Sequence, residues 1–446
     1  MRRYEAYKDT GLFWLPQIPQ KWEWKFLSQV AKEQKDRKPE NIDFAVMSLS
    51  YGNIIRKKNL SAGLVPENYN NYQVIRKGNI ILRLTDLQND HTSLRTGLAR
   101  ETGIITSAYT CLLPLSNSAY LHYLLHAYDI RKVFYGMGGG VRQSIGYKDI
   151  RNMCVPCPSR EEQDQIVRYL EWQTSKINRL INAKKCTISL LEEQKRSVIT
   201  HVVTRGLVQN AELVDSGIDY IGQVPAHWKV LLNHRIYKEK SRKFDREETV
   251  LSLSQKDGLL PYENMKERSL HTASYENWKL VFPNDLVLNR FKAHLGVFFS
   301  SNYRGIVTFH YGVYEPVMKI ASKYYEALYH TPEFRRVFAS KSNGMTVGLQ
   351  NLSNTNFYSV YTVYPPYEEQ CQIVCKIEEI EEKYRKLIAK IDQQIDCLHE
   401  YENRLISDVV TGQIDVRNIE VPDFELVEEA VDDTDADEDV NVEEEE

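Results

Sequence analysis

The residue types that could perform chemistry in this chain are paired cysteines, paired carboxylates and closely spaced histidines. Cys154 and Cys157 have the spacing of zinc ligands, but a structural zinc site needs four ligands and no second pair has this spacing. Glu381-Glu-Lys383 imitates the end of a nuclease motif, yet it falls in the middle of a helical pattern. No P-loop, no nucleophile elbow and no metal-binding histidine pair occurs. The sequence therefore predicts no catalytic centre and no metal site.

One further motif contains two consecutive prolines. Tyr364-Pro-Pro-Tyr367 is similar to the catalytic motif of amino-methyltransferases, in which the residue before the prolines accepts hydrogen bonds from the target amine. A tyrosine phenol is a poorer acceptor than the Asp, Asn or Ser of that motif, and a glycine-rich loop for the methyl donor is absent. Prolines that start a helix are the better interpretation, and a stand-alone DNA methyltransferase remains the enzyme alternative.

Length and composition favour a protein of two or three domains. The 446 residues are 42% hydrophobic and 26% charged, which are ordinary values for a globular protein. No apolar run reaches the roughly 18–20 residues of a membrane span, and the N-terminus lacks the apolar stretch of a secretory signal. Seven cysteines in a long chain do not form a disulfide framework. We expect a cytoplasmic protein without a membrane partner.

The charge of the chain is unevenly distributed. From Asn418 to Glu446 there are 15 acidic residues and no Lys or Arg, so the rest of the chain carries all 57 basic residues against 46 acidic ones. A body of net charge +11 with an acidic tail is common in proteins that meet nucleic acid. The alternative is a soluble protein whose tail only keeps it in solution.

The chain contains a long internal repeat. Asp9–Trp22 matches Asp215–Trp228 at an offset of 206, and Pro158–Val167 matches Pro365–Val374 at an offset of 207. This period is far longer than the 20–50 residues of a solenoid unit, so a whole domain and a helix are duplicated. The matches are close at the ends of each copy and weak in the middle. This pattern indicates one scaffold that presents two different surfaces.

Each copy ends in a predicted helix of roughly 45 residues, about 65 Å long. Apolar residues recur every three or four positions, and glycine or proline does not return until Gly206 and Gly412. A heptad-like stripe of this length needs a partner helix, and we expect the two helices to pair antiparallel. Separate packing of each helix on its own domain is the alternative. The predicted seam residues are Ile177, Leu180, Ile188, Leu191, Tyr384, Leu387, Ile395 and Leu398.

The divergent middle segments are rich in side chains that contact DNA phosphates and base edges. Each copy also has a loop with glycines and polar residues shortly before its long helix, where a backbone can approach a phosphate. Any one of these residues could be an ordinary solvated side chain, but the recurrence of the loop favours a function. The candidate DNA-binding residues are Lys57, Lys58, Arg83, Thr85, Gly138, Gly140, Arg142, Gln143, Ser144, Arg290, Lys292, His294, Gly344, Thr346 and Gln350.

With these features the chain resembles the specificity subunits of type I restriction–modification systems. The resemblance covers residues 1–417 and rests on the repeated entry segment at Asp9 and Asp215 and the glycine-containing loops. It also rests on the P-x-x-E-E-Q-x-Q-I-V helix start at Pro158 and Pro365, and on the ending Arg404–Arg417. The acidic tail departs from the family pattern.

The resemblance implies an α+β fold: two similar target-recognition domains separated by two long antiparallel coiled-coil helices, related by a pseudo-two-fold duplication. Each domain would read half of a split DNA sequence, and the helices would set the gap. The implied partners are double-stranded DNA, two methyltransferase subunits and two ATP-dependent restriction subunits. S-adenosylmethionine, ATP and Mg²⁺ would bind those subunits, and this chain would bind no cofactor. A coiled-coil scaffold that binds only proteins is the alternative outside the enzymes.

The same resemblance sets the expected domain boundaries. They are 1–20 for an N-terminal segment packed near the C-terminal helix, 21–157 for the first recognition domain, 158–205 for the central helix, 206–364 for the second recognition domain and 365–412 for the C-terminal helix. The remaining residues, 413–446, are expected from their composition to form a disordered acidic tail.

Overall fold

The structure is a computed structural model, and it describes residues 2–36, 44–50, 52–57, 69, 72–85, 87, 95–137, 145–208, 210–244, 248–255, 258–265, 275, 277–342 and 351–430. The chain divides into two compact units. Unit 1 comprises Met1–Cys186 and Ile391–Glu446, and unit 2 comprises Thr187–Lys390. Each long helix therefore contributes one half to each unit.

The first copy contains twelve strands and four α-helices among the described residues. The strands are β1 Tyr7–Leu12, β2 Leu15–Pro19, β3 Glu23–Phe26, β4 Ala31–Gln34, β5 Met47–Ser50, β6 Asn53–Arg56, β7 Tyr72–Ile75, β8 Ile80–Leu82, β9 Thr96–Leu98, β10 Gly103–Thr106, β11 Thr110–Pro114 and β12 Cys154–Cys157. The helices are α1 Leu27–Val30, α2 Ser118–Ile130, α3 Tyr147–Ile150 and the long α4 Arg160–Arg205.

The second copy repeats this inventory. Its strands are β13 Leu213–Asp215, β14 Gln223–Pro225, β15 Lys229–Leu232, β16 Tyr237–Glu239, β17 Leu251–Ser254, β18 Gly258–Pro261, β19 Lys279–Val281, β20 Leu286–Asn289, β21 Phe298–Ser300, β22 Gly305–Val307, β23 Tyr311–Pro316 and β24 Tyr361–Tyr364. Its helices are α5 Ser322–Tyr329, α6 Pro332–Lys341, α7 Asn354–Tyr358 and the long α8 Tyr367–Val410. No helix in the described part of the chain is long and apolar enough to cross a membrane.

The strands of the two copies pair in the same way. The largest sheet of the first copy has the order β4-β11-β8-β9, and that of the second copy has the order β16-β23-β20-β21. The two-stranded pairs also correspond, because each strand of the first copy pairs like the strand twelve places later. All these pairs are antiparallel. The match between the copies therefore extends from the sequence to the strand topology.

The start of each long helix explains the repeated Glu-Glu-Gln motif. Gln163 is buried and its side-chain amide donates to the carbonyl oxygen of Pro158 at 3.0 Å, and Gln370 donates to Pro365 at 2.9 Å. The acidic residue before each glutamine lies in the first helical turn, where the helix dipole favours a negative charge. These acids also hold the entry segments: Glu162 accepts from the Tyr4 hydroxyl at 2.7 Å, and Glu369 accepts from the Trp228 indole at 3.1 Å.

A glycine terminates each long helix. Gly206 and Gly412 have φ angles of +75° and +74°, the left-handed conformation that only glycine adopts without strain. A Cβ atom at Gly412 would lie 2.4 Å from the ring of Pro19 and 3.2 Å from Trp22, and one at Gly206 would lie 3.3 Å from Trp228. The entry segment of each copy thus packs directly on a helix end, and only glycine leaves room for it.

The halves of the long helices pack antiparallel within each unit. In unit 1 the beginning of α4, with Ile166 and Leu170, shares a core with Leu405 and Val409 near the end of α8. Further along α4, Lys184 donates to Gln394 at 2.5 Å, so the residue numbers run in opposite directions. In unit 2 the end of α4 packs against the beginning of α8 in the same sense, as Val202, Val203, Ile373, Ile377, Ile380 and Tyr384 show.

The predicted seam residues differ in their exposure. Ile177, Tyr384 and Ile395 are buried, and Ile188, Leu191 and Leu398 are half-buried. Leu180 and Leu387, which occupy equivalent positions in the repeat, are instead 54% and 39% exposed. The neighbouring Ile181 is buried in place of Leu180, because a helix of 3.6 residues per turn drifts away from a strict 3.5-residue stripe.

The beginning of the acidic tail is ordered, which differs from the predicted disorder from residue 413 onward. Asp415 and Val416 are buried, and the backbone N–H of Asp415 donates to the Arg2 carbonyl at 2.9 Å. Residues 418–430, the C-terminal strap, then run along α4. The predicted tail from 431 to 446 lies outside the described residues. Side chains of α4 donate to strap carbonyls in six places: Gln165 to Ile419, Arg168 to Val421, Asn178 to Val427, Arg179 to Glu425, Asn182 to Glu428 and Lys185 to Ala430.

The burial of Glu402 on α8 is expected to make the stability of unit 1 depend on pH. Burial raises the pKa of Glu402 on α8 to about 7 from 4.5, and the nearby strap carboxylate of Glu429 adds to the effect. The folded chain then keeps a proton that the unfolded chain has lost, so stability falls as the pH rises from about 4.5 to 7. Glu402→Gln is expected to be about 1–3 kcal/mol more stable than the wild type at pH 8 and nearly equal at pH 4.

Urea denaturation at the two pH values measures this difference. Glu400→Gln, on an exposed position of the same helix, is the control and should show no such pH dependence. A stabilisation by Glu402→Gln of the same size at both pH values would refute the assignment.

Candidate nucleic-acid interface

Three of the predicted DNA-binding residues, Arg83, Thr85 and Arg290, follow equivalent strands of the two copies. Strand β8 ends at Leu82, directly before Arg83 and Thr85, and β20 ends at Asn289, directly before Arg290. Both are inner strands of the four-stranded sheets. When the two copies are aligned by their strand register, Leu84 is equivalent to Arg290, and Thr85 is equivalent to Phe291. The same sheet end thus presents different side chains in each copy.

The chain that follows each glycine-containing loop is hydrogen-bonded to this sheet end in both copies. The first residue described after the loop of copy one, Ile145, donates its backbone N–H to the carbonyl of Leu84 at 2.9 Å. In copy two, Leu352 donates to the carbonyl of Arg290 at 3.0 Å. The two bonds join equivalent residues, so the chain directly after each loop is held beside the end of an inner strand. The predicted residues outside the described part are Lys58, Gly138, Gly140, Arg142, Gln143, Ser144, Gly344, Thr346 and Gln350.

A buried arginine fixes the segment Arg83–Thr85. Arg95 is only 2% exposed, and its guanidinium donates to the carbonyl of Arg83 at 3.2 Å and to that of Thr85. The backbone N–H of Arg95 donates to the buried side-chain carboxylate of Asp129 at 2.8 Å. Arg95 is not among the residues predicted from the sequence, because nothing in the sequence separates a buried arginine from an exposed one.

Arg290 is held by a partly buried polar network. Its guanidinium forms an ion pair with Glu239 and donates to the side-chain oxygen of Asn354 at 2.9 Å. Glu239 also accepts from Lys279 at 3.3 Å, and the Tyr314 hydroxyl donates to Asn354 at 2.7 Å. Burial lowers the pKa of Lys279, which the Glu239 carboxylate partly counteracts. In this conformation Arg290 supports the domain interior, and its contact with a DNA base stays a prediction.

Lys292 and His294 lie on a short 3-10 helix, Arg290–Leu295, that follows β20. The side-chain oxygen of Asn289 accepts from the N–H of Phe291 at 3.1 Å and starts this helix. Gly296 ends it with a φ angle of +79°. Lys292 is exposed, as a phosphate contact requires, whereas His294 is half-buried. Nδ1 of His294 has no hydrogen-bond partner among the described residues.

An exposed aromatic cluster beside this helix was not predicted from the sequence. Phe291 and Phe309 are 43% and 50% exposed, and the ring centroid of His310 lies 6.1 Å and 3.9 Å from theirs, respectively. Strand register aligns Phe309 with Ser107 and His310 with Ala108. The first copy thus carries small residues where the second carries rings. A comparison of the two copies position by position would have found this signal.

Lys57 belongs to a different element. It follows β6 in the β5–β6 hairpin, is half-buried, and donates its backbone N–H to the Val46 carbonyl at 2.9 Å. Lys57 is therefore positioned by a different element from the sheet end that positions Arg83. The contact of Lys57 with DNA stays a prediction.

The motifs that imitate chemistry occupy structural positions. Tyr364 ends β24, and the carbonyls of Pro365 and Pro366 accept from Gln370 at 2.9 and 3.0 Å in the first turn of α8. Cys154 and Cys157 lie on β12, paired with β3. Within the described ranges, no group of three or more His, Cys, Asp or Glu side chains could hold a metal ion.

Known proteins resemble this chain in sequence over part of its length and in fold over most of it. No protein-family model matches the chain. The predicted MjaX specificity subunit of a type I restriction enzyme from Methanocaldococcus jannaschii is 29% identical over 123 residues, which are 27% of either chain. A chain from a structural study of complex assembly and conformational transition of the type I restriction–modification system has a TM-score of 0.58. It is 14% identical, and the match covers 89% of this chain and 99% of that one.

The resemblance to type I specificity subunits is confirmed. A further similar structure is the HsdS subunit from Thermoanaerobacter tengcongensis, with a TM-score of 0.42 and 15% identity over 89% of this chain. At 14% identity the TM-score of 0.58 establishes a shared fold of mixed helices and strands. The chain matches about a quarter of its curated relative, so activity and partners are matters of proposal.

Proposed function

We propose that this chain is the DNA sequence-specificity subunit of a type I restriction–modification complex. Each copy reads one half of a split DNA site through the end of its inner strand and the loop anchored there. The observation that carries the proposal is the repeated anchor, Ile145 to Leu84 and Leu352 to Arg290, around which the side chains differ. One scaffold with two unlike surfaces suits a site whose halves have different sequences.

The long helices have two roles in this proposal. As an antiparallel coiled coil with a pseudo-two-fold axis, they set the unread gap between the half-sites. They also dock two methyltransferase subunits, for which the exposed and equivalent Leu180 and Leu387 offer the same apolar contact in each copy. The chain has no catalytic role of its own. S-adenosylmethionine binds the methyltransferase subunits, and ATP and Mg²⁺ bind two restriction subunits that join for cleavage.

Selection of bound duplexes from a random pool tests this function. The purified chain together with its methyltransferase subunit should enrich two short motifs separated by a constant gap. Binding should weaken steeply with salt, since the phosphate contacts release counterions. Enrichment of a single continuous motif, or of none, would contradict the proposal.

The aromatic cluster gives a prediction for the second half-site. Phe291 and Phe309 present flat apolar surfaces, which in the major groove contact the 5-methyl group of thymine. Phe291→Ala and Phe309→Ala should each weaken binding by about 1–2 kcal/mol, without changing the preference for the first half-site. Deoxyuridine in place of the contacted thymine should weaken wild-type binding and leave the variants nearly unaffected.

Fluorescence anisotropy with the selected duplex measures both effects. Phe13→Ala removes a ring that is 84% exposed in the entry segment of copy one and serves as the control. If replacing thymine by deoxyuridine weakened the binding of the wild type and of the variants equally, the methyl contact would be excluded.

A further inference from the structure

The C-terminal strap covers a row of basic side chains in unit 1. Arg168 faces Asp423 at 3.5 Å, Arg179 faces Glu425 at 3.6 Å and Lys185 faces Glu429 at 2.8 Å. A fourth pair joins the strap to the first recognition domain, since Arg100, which follows β9, pairs with Glu428. Each of these four basic residues, here named the basic row, therefore faces one strap carboxylate.

The strap is fitted to α4 along its whole length. Its contacts advance from Gln165 to Lys185, which is 20 residues or about 30 Å of helix. The strap advances by eleven residues from Ile419 to Ala430 and covers this distance at about 2.7 Å per residue, somewhat less than the roughly 3.3 Å of a fully extended chain. The apolar Ile419 and Val421 pack on the core of unit 1, while most of the acidic side chains remain outside.

The second copy has no such row. Adding the repeat offset of 207 to Arg168, Arg179 and Lys185 gives Cys375, Lys386 and Asp392, of which only one is basic. The scaffold itself therefore does not require these basic residues. They occur in the copy along which the acidic strap runs, which indicates that the row and the strap function together.

In the ion pairs between the strap and the basic row, a competing anion can replace the strap carboxylate. The side chains of Arg100, Arg168 and Arg179 are 56%, 53% and 55% exposed. Exposed ion pairs contribute about 0–1 kcal/mol each and are screened by salt. Along α4 the row extends over 17 residues, about 25 Å, which is the axial length of roughly seven base pairs.

We propose that Arg100, Arg168, Arg179 and Lys185 form a phosphate-binding row and that the C-terminal strap is its built-in competitor. The strap carboxylates occupy the row in the free chain and suppress attraction of non-specific DNA. A DNA backbone that reaches the row replaces the carboxylates, and the strap end is released. This inference rests on the proposed function, because it requires that the chain meets DNA.

Two variants of equal charge test the competition. The strap variant D423N/E425Q/E428Q/E429Q and the control E443Q/E444Q/E445Q/E446Q each change the net charge from −4 to 0. Binding of the full-length chains to a non-specific duplex is measured over a range of salt concentrations. The strap variant should bind roughly tenfold tighter at low salt, with a slope of log K against log salt that is steeper by up to about 3–4. The control should change both far less.

Two results would overturn the competition while leaving the proposed function intact. One is equal binding by the two variants, which would mean that the acidic residues affect DNA binding only through the net charge of the chain. The other is unchanged binding after R168Q/R179Q is added to the strap variant, where the gain should be lost. Absence of DNA binding by every chain, with and without a methyltransferase subunit, would instead reject the proposed function itself.

Hydrogen exchange gives an independent measure of strap release. The amide N–H groups of Val427 and Ala430 donate to Ser175 at 3.2 Å and to Asn182 at 2.9 Å, so their exchange is slow while the strap is bound. Addition of the duplex to the wild-type chain should accelerate their exchange. Retained protection at saturating duplex would overturn the proposal.

Discussion

A hybrid chain in which residues 21–157 come from another specificity subunit is expected to direct methylation to a site that differs in one half only. The block contains the end of β8 and the first loop, which we propose as the reader of that half. The second reader, at the end of β20, is unchanged. Each mismatched base pair costs about 1–3 kcal/mol, so the original first half-site should lose at least about a hundredfold in preference.

The frame of the fold makes this exchange feasible. The anchors at the helix starts, Gln163 to Pro158 and Glu162 to Tyr4, lie outside the replaced block. Single-molecule sequencing of cells with the hybrid and its methyltransferase measures the modified motif. A control hybrid that replaces residues 229–364 should alter the other half. Simultaneous change of both halves, or of neither, would contradict separate readers.

Replacing Arg95 by methionine is expected to lower the free energy of unfolding by about 3–5 kcal/mol. The guanidinium is buried and donates to the carbonyls of Arg83 and Thr85, and hydrogen bonds to a charged group contribute about 1.5–3 kcal/mol each. Methionine keeps much of the volume but leaves both carbonyls without this donor. Because Leu84 between them also anchors the first loop, recognition of the first half-site should be lost before that of the second.

Urea denaturation and the half-site selection measure the two effects of Arg95→Met. The matched control is Arg76→Met, which removes an arginine whose side chain is 58% exposed and pairs with Asp36 at 2.5 Å. An exposed pair of this kind should cost less than about 1 kcal/mol. This role of Arg95 would be refuted if Arg95→Met lowered the free energy of unfolding by less than about 1 kcal/mol. Equal weakening of binding to both half-sites would refute it as well.

The frame of this fold could be predicted from the sequence because its contacts are local and occur twice. The glutamines at Gln163 and Gln370 bond to prolines five residues earlier, and Gly206 and Gly412 end helices whose apolar stripe is visible in the residue spacing. The repeated loops also predicted that each copy would carry the same kind of candidate interface.

The remaining features depend on contacts between residues far apart in the chain. Arg95 resembles any basic residue until the fold buries it, and Arg290 meets Glu239, which lies 51 residues earlier. The strap was predicted to be disordered because its composition is acidic, yet Asn178 and Asn182 on α4 bind its backbone, which composition does not reveal. Leu180 followed the heptad pattern but is exposed, since the helix drifts away from that stripe.

The most direct test of the central claim is a methylome by single-molecule sequencing, from cells that carry a methyltransferase gene with and without the gene for this chain. The account predicts a split adenine-methylated motif, two short sequences with a constant gap, that is present with the chain and absent without it. An unchanged methylome, in cells where the chain and the methyltransferase form a complex, would contradict the claim that this chain selects the DNA sequence.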